Sequence, residues 1–249
     1  MKTDFERKYH SLEEKHWWFI ARREMLLRLI KQYFQHRKDI KILEIGCSGG
    51  PLLKGLLSEG YSQIFGIDIS KKAVQLCKER DLKNVFLMDG VKPHFDSEKF
   101  DLIIASDVLE HIQNDHKAVK EWKGISKKGG IIICFVPALE ILWSKHDEDN
   151  EHCRRYTKKG LETIFTKNGF MIIRSSYWNI ALFLPTLLYR FLLKFILKSF
   201  TSNQLKESNY FLNFLLTQLL RIENVLLNIG LNYPIGISVF VIAQKPKKM

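Results

Sequence analysis

The feature that most constrains the fold is a recurrence. Lys41–Ile45, Gln63–Ile67, Val85–Met88, Phe100–Ala105 and Gly130–Val136 are short, continuous apolar runs, most of them separated by helical patterns. Strand and helix alternating at this spacing specify a parallel sheet. The runs are apolar at successive positions rather than at every second one, as expected when both sheet faces are buried. Phe170–Ser175 and Ile237–Ala243 add two further strands. The fold class predicted is therefore α/β, a Rossmann-like sheet of seven strands with helices on both faces.

The helices carry their own punctuation. Residues 11–37 read as an N-terminal helix with Ser11 as N-cap and Glu13 and Glu14 in its first turn. Pro51 opens a helix, where its missing N–H costs nothing. Ser70 caps a helix to about Arg80, another spans about Asp115 to Ile125, and Thr157 caps one that ends at Asn168-Gly169. Residues 178–231 break the alternation with strongly apolar, mostly helical sequence. The expected divisions are an N-terminal helical lid (1–38), an α/β domain (39–177), a helical insertion before the last strand (178–232), and that strand with a basic tail (233–249).

In open parallel sheets, ligands sit beyond the carboxyl ends of the strands. The first such end reads LEIGCSGGP, Leu43 to Pro51. The dinucleotide fingerprint G-x-G-x-x-G fails here, because Ser48 and Pro51 stand where its second and third glycines belong. A phosphate loop fails too, for want of a terminal Gly-Lys-Ser/Thr. What remains is an acidic-x-Gly-x-Gly-x-Gly pattern, met by Glu44, Gly46 and Gly50 with Ser48 in the middle. Asp68 ends the second strand, near the spacing at which a carboxylate meets a ribose diol.

These segments, with FGIDIS, FLMDG and FDLIIASDVLEHI in the same order, resemble the class I S-adenosylmethionine-dependent methyltransferases. The resemblance covers about residues 40–137. It implies S-adenosylmethionine as cofactor, Ile69 against its adenine, Asp89 near the adenine amino group, and Glu44 favouring its cationic end. Gly46, Ser48, Gly50, Asp68, Gly90 and Ser106 complete the cofactor set so implied. Ser48 departs from the glycine that many members carry there.

Methyl transfer to oxygen needs alignment, exclusion of water and removal of a proton. The fourth strand ends in ASDVLEHI, and a helical turn there would set Asp107 against Glu110 and His111. His111 is the expected base, with Glu110 and Asp107 beside it. The same stretch is similar to that of the ubiquinone-biosynthesis O-methyltransferases, which implies that Asp107, Glu110 and His111 could instead hold a divalent metal. A second polar cluster follows the fifth strand: His146, Asp147, His152, Arg154, Arg155 and Tyr156. It is similar to stretches in the type 11 and type 12 methyltransferase groups, as is HWWFIARR near the N-terminus. His146, His152, Arg154, Arg155 and Tyr156 are expected to bind the acceptor, the arginines gripping a phosphate or carboxylate.

Lysine and arginine total 39 against 27 acids, a net charge of +12, which favours anionic partners. Residues 180–198, IALFLPTLLYRFLLKFILK, are too interrupted to span a bilayer. Pro185 breaks the run, and Arg190, Lys194 and Lys198 form one basic stripe, as on a helix lying in a membrane interface. A second helix, about 209–229, keeps Asn213, Thr217, Arg221, Asn224 and Asn228 on one side and could pair with the first. An anionic membrane surface is thus an expected partner, and a soluble lid or dimer interface is the alternative. No RNA-binding module is recognisable, so nucleic acid is not an expected partner. The scattered cysteines and an N-terminus without an apolar leader fit a cytoplasmic, reducing setting. The overall expectation is a methyltransferase of a small-molecule or lipid-linked acceptor, peripheral to the inner face of a membrane. A soluble sugar or metabolite methyltransferase, an RNA methyltransferase and a non-catalytic scaffold are the alternatives.

Overall fold

A computed structural model describes residues 10, 12–35, 37–195 and 209–247. Seven strands form one sheet: β1 (Ile42–Ile45), β2 (Ile64–Asp68), β3 (Val85–Leu87), β4 (Phe100–Ser106), β5 (Ser126–Pro137), β6 (Met171–Trp178) and β7 (Ser238–Gln244). Their order is β3-β2-β1-β4-β5-β7-β6. β1 to β5 pair in parallel, while β7 runs antiparallel to both β5 and β6. The order reverses between β1 and β4, and a ligand crevice opens where neighbouring strands send their chains to opposite sides.

Among the described residues, eight α-helices flank the sheet: α1 (Trp17–Phe34), α2 (Pro51–Ser58), α3 (Lys71–Glu79), α4 (Asp115–Ile125), α5 (Lys145–Asp149), α6 (Lys158–Lys167), α7 (Phe183–Phe195) and α8 (Tyr210–Asn228). α1, α2, α3 and α8 build one core with Leu102, Ile133 and Phe240. α4 and α6 build the other through Trp122, Leu161 and Phe165. α1 is thus a layer of the core rather than a lid, with Ala21, Met25, Leu29 and Ile30 fully buried.

The N-terminal helix begins later than its apolar pattern suggests. His16, not a residue at 11, is its N-cap and accepts from Trp18 N; Ser11 lies outside the described residues. Burial lowers the His16 pKa from 6.5 to about 4. Between those values the unfolded chain binds a proton that the folded one refuses, so stability falls as the pH drops. His16→Asn keeps a capping acceptor without the titration. On going from pH 7.5 to 5, denaturant titrations should show the variant gaining about 2 kcal/mol relative to wild type.

The expected helical insertion is present, but its orientation differs from the sequence reading. Pro185 lies in the first turn of α7, which starts at Phe183 and runs on through it; an N–H there has no intrahelical partner to lose. Arg190 is buried and lines a cavity, so it is not part of an outer basic stripe, and the Lys194 side chain lies outside the described residues. Lys198 lies outside the described residues.

α8 is inverted relative to a surface helix, because its polar side faces the protein. Asn213 accepts from Trp17 N (2.8 Å), Arg221 pairs with Glu24, and Asn224 accepts from Trp178 Nε1 (2.8 Å) while donating to Ala21 O (2.9 Å). Buried Glu223 accepts from the backbone N–H groups of Asn179 and Ile180, which lead into α7. These buried polar contacts fix the rotation of the helix about its axis. They leave Tyr210 (89 %), Phe211 (69 %) and Ile222 (63 %) exposed. Among the described residues, α8 packs on α1 and α7 on the Glu140–Leu142 turn, where the sequence reading had the two helices as a possible pair.

Candidate active site

One cavity of about 1070 Å³ lies over the carboxyl ends of β1, β2 and β4. It is larger than a single small-molecule pocket requires, and its two halves differ in chemistry.

The first half is built by the glycine turn. Gly46 follows β1 with φ 71°, and a Cβ there would lie 2.4 Å from Val108 Cγ2. Gly46 and Cys47 donate to Ile67 O, tying the turn to β2. Ser48 holds φ 47°, a left-handed conformation that glycine would adopt more easily. Its N–H donates to Asp68 Oδ2 (2.8 Å), and Ser70 N–H donates to Asp68 Oδ1 (2.8 Å). Both carboxylate oxygens are therefore fixed at the cavity wall, each with a lone pair left over. Burial raises the Asp68 pKa and the two N–H bonds oppose it. Ile69 presents a 76 % exposed apolar side chain to the cavity, and Asp89, Gly90 and Ser106 line it nearby.

Two members of the expected cofactor set are not on this wall. Glu44 is buried behind the turn near Cys77, Glu13 and Arg23, and burial raises its pKa well above the carboxylate range. A strand buried on both faces sends that side chain away from the crevice. Gly50 serves packing: its φ is 78°, and a Cβ would lie 2.3 Å from Leu82 Cδ1. Gly46→Ala meets both a side-chain collision and a positive φ. It should cost about 2–3 kcal/mol in denaturant unfolding. Adding Val108→Ala should return part of that, since it removes the collision and leaves the φ.

The second half begins at the end of β4. Asp107 has φ 56°, and the next residues form a 3₁₀ turn, Leu109–His111, rather than an α-helix. Asp107, Glu110 and His111 therefore do not share the expected face. Asp107 turns to Arg22 of α1 (3.2 Å), which also donates to Ser106 Oγ and Ser238 Oγ. The Arg22 guanidinium lies 4.4 Å from the Trp178 ring and 5.2 Å from Trp18. The Trp-Trp-Phe…Arg-Arg stretch thus places Trp18 and Arg22 on one helix face to hold the base of the site. Their i, i+4 spacing was the available signal.

Glu110 is fully buried, and among the described residues neither of its carboxylate oxygens has a hydrogen-bond partner. Burial, then Asp107, raises its pKa well above the usual range. The His111 ring meets the His152 ring edge-on at 4.7 Å. Burial, then His152, lowers the His111 pKa to about 4. Glu110, His111 and His152 offer ligand atoms within 4.8 Å of one another. That group takes His152 from the distant second cluster in place of the expected Asp107.

His152 belongs to a relay that pattern reading missed. Its Nδ1 lies 2.9 Å from Asp147 Oδ1. Asp147 is fully buried and is gripped by Arg155 Nε (2.8 Å) and Nη2 (3.1 Å), and by Ser144 N (2.9 Å). Burial would raise the Asp147 pKa, but the bonds to His152 and Arg155 outweigh it and hold the carboxyl well below its usual range. An ionised Asp147 only accepts, so the His152 Nδ1 facing it carries a proton, and in the neutral ring the lone pair is then on Nε2.

Of the expected acceptor-binding residues, His146, His152 and Arg155 line the cavity and Arg154 and Tyr156 do not. Arg154 pairs with Asp115 (2.9 Å), and the Tyr156 hydroxyl donates to Asp115 Oδ2 and Leu109 O. The expected double-arginine anion clamp is absent, because both guanidiniums are engaged by protein carboxylates. Arg190 of α7 was not singled out as a cavity residue, yet it lines this half with Arg155 and His146.

With this geometry in view, comparison with known proteins decides the family. A family profile described as a methyltransferase domain matches residues 18–175. The chain belongs to that family. That family is the class I S-adenosylmethionine-dependent methyltransferases. The Pelagibacter ubique ubiquinone biosynthesis O-methyltransferase is 36 % identical over 106 residues, 41 % of this chain and 43 % of that one. The methyltransferase thus matches less than half the length of that relative. Its fold is shared by a Haloferax volcanii protein solved with the Trm112 methyltransferase activator (TM-score 0.64, 15 % identity, 98 % of this chain and 95 % of that one). It is shared too by a Haemonchus contortus phosphoethanolamine N-methyltransferase solved with S-adenosylhomocysteine (TM-score 0.58, 18 % identity, 90 % and 53 %). The seven-stranded methyltransferase sheet predicted from the strand pattern is therefore the observed one. Among the described residues, no helix is long and apolar enough to cross a membrane.

Proposed function

We propose that the methyltransferase transfers a methyl group to an oxygen of a small or lipid-linked acceptor, such as a quinone precursor or a lipid-borne glycan. It would work while peripherally bound at the inner face of an anionic membrane. The observation that carries this reading is the Asp147–His152 pair at the acceptor end of the cavity, which gives a hydroxyl proton somewhere to go.

The cofactor residues fit their group: Asp68 offers free lone pairs at the wall, Ile69 offers a flat apolar surface, and the Gly46 turn leaves no side chain in the way. Bound there, S-adenosylmethionine supplies an electrophilic methyl on a sulfonium. The chain's task is to position the acceptor and remove its proton. Arg155 and Ser144 hold Asp147, Asp147 fixes the His152 tautomer, and His152 Nε2 takes the hydroxyl proton. His111 buttresses that ring edge-on rather than acting as the base itself. Trp17, Trp18 and Phe19 wall the cavity and exclude water.

A second reading has one specific observation behind it. A fully buried carboxylate without hydrogen bonds, beside two imidazoles, fits a divalent transition-metal ion. Glu110, His111 and His152 are the residues that would hold it, and the ion would supply Lewis-acid stabilisation of the acceptor alkoxide.

The test supplies cofactor labelled in its methyl group, together with a membrane lipid extract and a soluble metabolite extract. Label recovered as a methoxy group in either fraction supports the reading, and label on nitrogen or in neither fraction counts against it. Chelator-sensitive labelling restored by zinc or manganese favours the metal route; chelator-insensitive labelling favours His152 alone.

A further inference from the structure

The cationic end of the cofactor lacks its expected partner. Glu44 lies buried behind the glycine turn and does not line the cavity. Five other acids do line it among the described residues: Asp68, Asp89, Asp107, Glu110 and Glu151. Asp68 is engaged by the turn and suits the ribose. Asp89 follows β3 at the edge of the sheet and accepts from Val91 N–H (2.8 Å). Glu110 is fully buried and, with Glu151, belongs to the acceptor half that holds His111 and His152. Asp107 is left.

The strand order puts Asp107 where that end must lie. Ile69 and Asp68, at the end of β2, suit the adenine and the ribose. The sulfur is carried on the C5′ carbon of that ribose. The order runs β3-β2-β1-β4-β5, so a step away from the adenine crosses β1 at Gly46 and arrives at the end of β4. Ile45 pairs with Ala105, so Gly46 and Ser106 leave the sheet side by side, and Asp107 comes next. Its N–H donates to Phe135 O of β5 (2.9 Å). Asp107 therefore stands between the cofactor half and the acceptor half.

The side chain is held there by a one-sided ion pair. Arg22 Nη1 lies 3.2 Å from Asp107 Oδ2, and Ser106 Oγ donates to the same oxygen (3.3 Å). Arg22 does not line the cavity; its guanidinium lies 4.4 Å from the Trp178 ring and 4.5 Å from Phe135. The Asp107 side chain is 25 % exposed and does line it. The pair thus turns its negative end to the cavity and its positive end to the aromatic core. A charge so placed, partly shielded from water, acts more strongly than one in solution. The left-handed φ of 56° is a strain of the kind that persists where a site uses it.

We propose that Asp107 is the counter-ion for the cationic end of S-adenosylmethionine, held toward it by Arg22, and that it makes the site prefer charged adenosyl ligands over neutral ones. This deepens the methyltransferase reading and rests on it.

Titration calorimetry with three adenosyl ligands tests the assignment. Sinefungin carries a protonated amine in place of the sulfonium and keeps the amino-acid ammonium. S-adenosylhomocysteine keeps the ammonium and has a neutral sulfur. 5′-Methylthioadenosine carries neither cation. Asp107→Asn preserves size and accepts a left-handed backbone. It should weaken sinefungin about tenfold or more and leave 5′-methylthioadenosine unchanged. S-adenosylhomocysteine separates the two cations: a loss equal to that of sinefungin puts the carboxylate on the ammonium, and a retained affinity puts it on the sulfonium. The three ligands share their adenosine contacts, so any loss of folded protein scales them alike and the ratio stays readable. An unchanged ratio of sinefungin to 5′-methylthioadenosine affinity in Asp107→Asn overturns the proposal. Failure of the wild type to bind any of the three is a separate result, and it strikes the methyltransferase reading instead.

Discussion

Asp68→Ala should weaken S-adenosylhomocysteine binding about 100-fold, read by titration calorimetry. The carboxylate does two things at once. It receives Ser48 N–H and Ser70 N–H, so it holds the glycine turn in a shape that includes a left-handed serine. Its remaining lone pairs face the cavity, where they can accept from a ribose diol. Each hydrogen bond to a charged group is worth about 1.5–3 kcal/mol, and alanine forfeits all of them. Asp68→Asn retains one acceptor oxygen and should lie between wild type and alanine. Unchanged affinity in the alanine variant would leave the turn without its proposed role.

The second large effect concerns rate. His152→Ala should lower kcat about 100- to 1,000-fold with cofactor affinity unchanged. Asp147→Asn should approach the same loss for a different reason. An asparagine can present its amide N–H to Nδ1, which moves the ring proton to Nε2 and removes the lone pair aimed at the acceptor. Added imidazole should restore part of the rate to His152→Ala, because the alanine leaves room for it. His111→Gln, which alters a buttress, should cost less than either. If His111→Gln abolishes turnover while His152→Ala does not, the roles are reversed.

The sheet was legible because burial on both faces leaves a trace in every residue of a strand. Leu43, Ile103 and Ile133 read as core and are core. The direction of β7 was not legible: Ile237–Ala243 is equally apolar whichever way it runs, and its antiparallel course depends on the long excursion through α7 and α8. The cofactor turn could be placed since a strand, a glycine and an acid recur at strand ends. Glu44 was misplaced because strand alternation, not proximity to the turn, decides where its side chain points. α8 shows the limit of amphipathic reading. The sequence displays two faces without saying which one meets protein, and here Asn213 and Asn224 find backbone groups of the N-terminal region to bond. The Asp147–His152–Arg155 relay follows no helical or strand period, so only the folded loop brings it into view. Its residues were visible in the sequence as a polar cluster, but their division into base, orienter and clamp was not.

A crystal structure with S-adenosylhomocysteine tests the central claim most directly. The account expects the ribose hydroxyls on the Asp68 carboxylate, the adenine over Ile69, and the sulfur facing the half of the cavity that holds His111 and His152. Adenosine lodged against α7 and Arg190, or Asp68 without contact to the ligand, would contradict it.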